Sequence, residues 1–371
     1  MTPALHLTGP IVVDGTTQVR EAWVVDGRIT FTPPTDDGAL TRIEGWAFPG
    51  LVDVHCHVGL DSGGATEPDL ALKQAIVNRD AGTLLIRDAG SASHTAFLQE
   101  RSDVPQLIRA GRFIARPKRY LRGYAREIDV EQLPQVVAEE ARDGDGWVKI
   151  IADWIDRDMG GEADLTPLWP DDILAQAIDA AHAEGARVTA HTFATESIDP
   201  LFEAGIDCIE HGTGMTAEHM RTAADRGIPV VPTLLQVAHF DSFAAQAGTK
   251  FPRFAARMQA MHARRYAQVR AFFDAGVPLL IGTDAGGTIG HGSLAQEAAE
   301  WVSAGLPATE AVAAATWRAR AFLGAASISE GASADVVTFA SDPREDITAL
   351  SDPSHVILRG VDYRAQEGKY L

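Results

Sequence analysis

The sequence predicts an α/β protein: a (β/α)8 TIM barrel with a small β-sandwich domain built from both chain termini. Three features lead there. Apolar, β-prone runs alternate with amphipathic helical stretches from about residue 49 to 327, which indicates a parallel sheet flanked by helices. Eight such units in that stretch fit the ~250 residues typical of a (β/α)8 barrel. Short β-prone runs separated by turn residues occupy both ends of the chain. A doubly wound open sheet is the main alternative.

At the N-terminal end, Ile11-Val12-Val13 precedes Asp14-Gly15. Ala22-Trp23-Val24-Val25 runs into Asp26-Gly27 and then Arg28-Ile29-Thr30-Phe31. An Asp-Gly pair between such runs signals a hairpin, because both turn residues must tolerate positive φ. These strands are too few for a stable sheet alone. The end of the chain offers partners in Asp335–Phe339 and His355–Arg359. Residues 1–48 plus 328–371 are therefore expected to form one composite domain, with the barrel at 49–327.

Within the barrel the strand candidates are Leu51–His55, Thr83–Arg87, Gln106–Ala110, Trp147–Ile151, Arg187–His191, Cys208–His211, Pro229–Thr233 and Pro278–Thr283. Pro170–Glu184, Thr195–Glu203 and Phe254–Ala275 read as helices between them. No low-complexity tract or short-period repeat interrupts the pattern.

Composition narrows the function. Of 371 residues 46% are hydrophobic and 22% charged, the profile of a soluble globular protein. A net charge of -19 excludes nucleic acid as the expected partner, since phosphate backbones attract basic surfaces. Two cysteines, Cys56 and Cys208, cannot build a disulfide framework, so a reducing compartment is expected. No signal peptide is read at the N-terminus, and no apolar run reaches the ~18 residues needed to cross a bilayer. The expectation is a cytoplasmic homo-oligomer that acts on a small molecule, with no membrane partner.

Catalytic groups of a (β/α)8 barrel sit at the C-terminal ends of its strands. Those ends carry His55 and His57, Lys149, His191, His211 and Asp284. In a strand, residues i and i+2 share a face, so His55 and His57 can bind one ion while Cys56 faces away. Lys149, flanked by β-branched residues, is costly to bury unless paired, neutral or chemically altered. Two readings follow: an interior pair with Asp153, or an amine of lowered pKa that reacts with carbon dioxide to give a carbamate. His191 and His211 close successive strands, and neutral imidazole is the commonest metal ligand. Asp284, before Ala285-Gly286-Gly287, is either a helix N-cap or a metal ligand that also takes a proton from bound water. The glycines after it favour the second role.

With these residues in place, the chain resembles the amidohydrolase superfamily. The imidazolonepropionase-like branch, which includes metal-dependent Xaa-Pro and Xaa-Arg dipeptidases, is the most similar. The matching pieces are Pro49–His57, Val148-Lys149-Ile150, Ala190-His191-Thr192, Ile209-Glu210-His211-Gly212, Gly282–Gly286, His291-Gly292 and Gly331–Val337. The resemblance implies a binuclear zinc centre. His55, His57 and Asp284 would hold one ion and His191 and His211 the other, with a carbamate on Lys149 as bridge. Two departures concern substrate selection. Relatives often follow the lysine with small residues, where this chain has Ile151-Ala152-Asp153-Trp154. Relatives also often carry Gly-Gly-His after the third strand, where this chain reads Phe113–Tyr120.

The expected reaction is hydrolysis of a C–N amide bond by a metal-bound hydroxide, with Asp284 as proton shuttle. Expected substrates are an N-acyl amino acid or a dipeptide. Cyclic-amide hydrolysis, hydrolytic deamination and lactone or phosphoester hydrolysis remain alternatives, as does a non-catalytic metal protein. The basic segment Arg116–Arg126 is either a solvated loop or a cover for the pocket. In the second case Arg119 and Tyr124 can bind a substrate carboxylate. His239 and His291 are the other expected substrate contacts, and His291 is favoured because the resemblance includes it.

Overall fold

The computed structural model describes residues 4–35 and 40–364. The extreme ends of the expected composite domain, 1–3 and 365–371, lie outside the described residues. Both ends of the chain meet in one sheet. Its order is Val361–Asp362, His355–Leu358, Val336–Phe339, Trp46–Pro49, Ala4–Val12, Gln18–Val25 and Arg28–Thr30, with Leu40–Glu44 branching from Ala4–Val12. The Asp26-Gly27 hairpin forms as read from sequence: Val25 pairs with Arg28, and the two turn residues take φ of 48° and 76°.

Leu40–Glu44 and Trp46–Pro49 follow one another along one edge of the first strand in unbroken register, while the pairing of its other edge with Gln18–Val25 shifts between Thr8 and Ile11. Gly9 permits the shift. Its φ is 114°, and a Cβ there would stand 2.6 Å from the Gly45 carbonyl oxygen. The terminal strands are hydrogen-bonded as one branched sheet. Leu5, Leu7, Val24, Ile29, Ile43 and Ile357 give it a small core of its own.

Between the terminal strands the chain alternates strand and helix, and the major strands pair in parallel. Leu51–Cys56, Thr83–Asp88 and Gln106–Arg109 form one sheet. Ile114–Ala115, Trp147–Ile151, Arg187–Thr192, Cys208–His211 and Val230–Val231 form another, extended at its first edge by Arg126–Glu127. Helices such as Asp171–Ala183 and Pro252–Asp274 connect the strands. The predicted helix at 195–203 opens as a 3-10 turn, Thr195–Ser197, before Ile198–Glu203.

Two sequence expectations are corrected. The run at 229–233 shrinks to Val230–Val231, because Pro229 and Pro232 cannot donate to a ladder. The run at 278–283 is not a regular strand. Its backbone nonetheless links the two sheets: Val230 N donates to Pro278 O (2.9 Å), Leu280 N to Val230 O (3.1 Å), Val54 N to Ile281 O (3.1 Å) and Asp284 N to His55 O (2.7 Å). Gly282 allows this approach, since a Cβ there would lie 2.5 Å from His55 Cβ. The link sets Asp284 beside the two histidines.

Candidate active site

The polar side chains of the cluster converge from several strands and strand ends, His55 and His57 sharing Leu51–Cys56 and its end. Lys149 stands mid-strand, fully enclosed. His191 and His211 sit on neighbouring strands, where Thr192 pairs with His211 and Ile151 with His191. His211, Thr233 and Asp284 all adopt positive φ, 66°, 48° and 58°. Such backbone costs roughly 1–3 kcal/mol per non-glycine residue and gathers at functional sites.

The hydrogen-bond network fixes which imidazole nitrogens carry protons. His57 Nδ1 lies 2.6 Å from the Gly90 carbonyl, so it donates and leaves Nε2 with a lone pair. His55 Nδ1 lies 2.8 Å from Glu210 Oε2, with the same result. Thr233 gives its hydroxyl proton to Pro232 O (2.8 Å) and therefore accepts from His211 Nδ1 (2.7 Å).

Three Nε2 lone pairs thus point inward. His57 Nε2 and His55 Nε2 stand 3.0 and 3.1 Å from the same oxygen, Asp284 Oδ1. His211 Nε2 stands 3.0 Å from His191 Nδ1, and Lys149 Nζ is 3.4 Å from His55 Nε2. One ligand atom each from His55, His211 and Asp284 falls within a 4.8 Å cluster. Acceptors facing acceptors repel unless a cation lies between them, so the donor set fits a divalent metal.

Electrostatics agree. Burial pushes His57 and Lys149 down, and it takes His211 to about 3. Burial and the neighbouring His211 push His191 well below the ordinary range. Burial and Lys149 also press on His55, but Glu210 and Asp284 outweigh them and hold it above its usual value. Burial alone would raise Asp284; His55 and His57 keep it well below the ordinary carboxylate range. The shifts favour neutral imidazoles at His57, His191 and His211, move Lys149 towards its neutral amine and keep Asp284 ionised, all metal-binding directions. The two carboxylate neighbours of His55 draw it towards the cation. Lys149 does not pair with Asp153, the partner considered from sequence. The Asp153 carboxylate instead accepts from Phe193 N (3.1 Å) and Ala194 N (3.0 Å).

Glu210 and Arg87 were missed in the sequence. Glu210 is wholly buried and receives His55, Arg87 and Thr189 together. The available signal was a pair of opposite charges, one in each of two interior strands.

The cluster opens into a cavity of about 610 Å3. His57, His191 and Asp284 form its floor side, and Phe113, Tyr120, Trp154, Phe193 and Phe243 are among its walls. Tyr120 was not singled out from sequence. Its ring meets His191 edge-on at 5.6 Å and Trp154 at 4.7 Å, and burial with the Asp284 charge pushes its phenol up, so it stays a donor.

Of the expected substrate contacts, Tyr124 lines the cavity and donates to the Asp61 carbonyl. Arg119, His239 and His291 do not line it. Arg119 is turned to Asp156 and Thr166. His239 caps the helix Phe240–Ala247. His291 lies against Asn78 (3.1 Å) and Cys56 (3.6 Å), behind the strand that carries the two histidines.

Such a constellation beside strand ends of an α/β fold is a candidate metal site. Residues 46–361 match the Amidohydrolase family, and the chain belongs to it. Its chemistry is hydrolysis at carbon–nitrogen bonds. Uncharacterized proteins of Mycobacterium bovis and Mycobacterium tuberculosis are 49% identical over 358 residues, covering 96% of this chain and 95% of theirs. Among solved structures, a Xaa-Pro dipeptidase with bound methionine superposes with a TM-score of 0.81 at 23% identity, covering 97% of this chain and 99% of that one. The ochratoxinase of A. niger gives 0.76 at 20% identity, covering 97% and 95%. These neighbours share the fold, and with the family they carry the TIM-barrel architecture.

Proposed function

We propose that the chain is a binuclear metal amidohydrolase that cleaves the amide of an N-acyl amino acid or a dipeptide-like molecule. Residues 49–327 would be the catalytic (β/α)8 domain, and 1–48 with 328–371 the accessory β-domain. His55, His57 and Asp284 would hold one ion and His191 and His211 the other, most simply zinc, with Lys149 bridging as a carbamate. The observation that carries this reading is the convergence of His55 Nε2 and His57 Nε2 on one oxygen of Asp284, with a His211 ligand atom within 4.8 Å of the His55 and Asp284 ligand atoms. The ions supply Lewis acidity that lowers the pKa of water and polarises the scissile carbonyl.

The protein's own groups do the rest. Asp284 accepts the proton of the attacking water at its carboxylate and returns it to the leaving nitrogen. Tyr120 donates from its phenol towards the carbonyl oxygen as charge develops there. Gly90, Glu210 and Thr233 hold the Nδ1 protons of His57, His55 and His211, which keeps the ligand lone pairs directed inward. The wall of aromatic rings limits bulk water around the reacting bond.

The same reading makes the protein a cytoplasmic homo-oligomer with no nucleic-acid or membrane partner. The buried free cysteines suit a reducing compartment, and the net charge of -19 disfavours nucleic acid; among the described residues no helix is long and apolar enough to cross a membrane. Light scattering after size exclusion measures the assembly.

The test is metal content by mass spectrometry beside an amide panel assayed with and without chelator. Asp284→Asn should keep the fold and lower kcat by at least ~10²-fold, in the range of a lost general base. Near-normal turnover in that variant rejects the role given to Asp284.

A further inference from the structure

We infer that the preferred substrate is an N-blocked amino acid: a free carboxylate joined through the scissile amide to a large apolar or aromatic acyl group. This rests on the hydrolase reading above and adds the chemistry of the cavity walls.

The walls are strongly apolar. Phe113, Trp154, Phe193, Phe243, Phe251 and Phe254 line the cavity from separate stretches of the chain. Its volume of about 610 Å3 accepts an aromatic acyl group together with an amino-acid side chain.

Charge selects what else the substrate carries. Arg122, Arg157 and Lys250 also line the cavity, each from a different segment and each solvent-exposed. Among the described residues none of the three has a carboxylate partner within 4 Å, and Lys250 Nζ sits 5.1 Å above the Phe251 ring. Their neighbours behave otherwise: Arg119 pairs with Asp156, Arg126 with Glu139 and Glu140, and Arg257 with Asp164 and Glu196. In a chain of net charge -19, three unpaired cations at one cavity form a local reversal of sign.

Among the described residues the only carboxylate lining the same cavity is Asp284, already engaged by His55 and His57. A dipeptide would bring an ammonium to walls that offer three cations and no free anion. An acyl group brings no charge and gains the aromatic surface, while the carboxylate of the amino-acid half finds guanidinium groups suited to it in geometry. A neutral urea or carbamate would leave all three cations unanswered.

The experiment uses the metal-loaded enzyme and three probes: N-benzoyl-L-phenylalanine, its primary carboxamide, and L-phenylalanyl-L-phenylalanine. In the first, water adds its oxygen to the benzoyl carbon and the C–N bond breaks. The nitrogen takes a proton, giving benzoate and phenylalanine. Mass spectrometry of the products identifies the bond cut. The expected result is kcat/KM at least tenfold higher for the free acid than for either other probe. Arg122→Ala/Arg157→Ala/Lys250→Ala should raise KM for the acid about tenfold and bring the acid-to-carboxamide ratio towards one.

Calorimetric binding of the acid to Asp284→Asn, with and without the three rim substitutions, reads recognition apart from turnover. Preference for the dipeptide or the carboxamide overturns the inference and leaves the hydrolase reading intact. Rim-dependent binding without cleavage of any probe by the wild-type enzyme overturns the hydrolase reading instead. Neither cleavage nor binding of the acid overturns both.

Discussion

His57 shows how one side chain is prepared for its task. Its Nδ1 proton is held by a backbone carbonyl, so the other nitrogen has only a lone pair to offer. Thr233 does the same for His211 through a hydroxyl whose proton is committed to Pro232 O. Replacing it by valine removes the acceptor but keeps the shape. Thr233→Val should weaken metal binding by about 10–100-fold, the usual cost of losing such a partner, with the fold retained; competition against a chelator measures it. Glu210 is a different case, because its charge is wholly buried between Arg87 and His55. Glu210→Gln leaves the Arg87 guanidinium unbalanced and should destabilise by about 3–5 kcal/mol, read as a lower urea midpoint at unchanged slope. These residue-level partners were the least legible in the sequence. Histidines spaced one residue apart at the end of an apolar run announce themselves, whereas Thr233 is an ordinary threonine until the backbone turns it to φ 48°.

At the scale of elements, the segment 278–285 matters most, because it ties Val230 on one side to Val54 and His55 on the other. It was read as a strand from its apolar run, and it does occupy a strand's place. Its irregularity comes from Gly282, whose missing Cβ lets the backbone approach His55, and from Asp284 in the left-handed region. Gly282→Ala would place a methyl 2.5 Å from His55 Cβ and 2.7 Å from its backbone nitrogen. Such overpacking against backbone should cost about 1–3 kcal/mol and misplace His55 enough to lower metal content, measured on the purified variant. Elements with steady apolar patterns, such as Trp147–Ile151 and Cys208–His211, were legible residue for residue. The substrate-facing loops were not. Most arginines of the basic segment serve internal ion pairs or carbonyls, and nothing in their spacing separates Arg122, which is free, from Arg119, which is tied.

For the whole molecule, buried carboxyls raised by desolvation set a pH response, and Asp153 and Glu297 contribute to it alongside Asp53 and Asp88. Burial pushes Asp153 to about 7 and Glu297 to about 8, despite the backbone amides each accepts. Both values are raised above those of the unfolded chain. From about pH 4 upward the unfolded state therefore gives up protons that the folded state keeps, and stability falls as pH rises towards 8. Urea midpoints should be lower at pH 8.5 than at pH 5.5, and Asp153→Asn with Glu297→Gln should reduce that difference, Asp88 keeping the remainder. A rise in the midpoint across this interval contradicts the assignment.

The pairing of Trp46–Pro49 with Val336–Phe339 bears on how the chain is made. Residues 50–335 leave the ribosome between the synthesis of one strand and that of its neighbour. Trp46–Pro49 must therefore wait with one edge unfilled beside a growing barrel until Val336–Phe339 has been made.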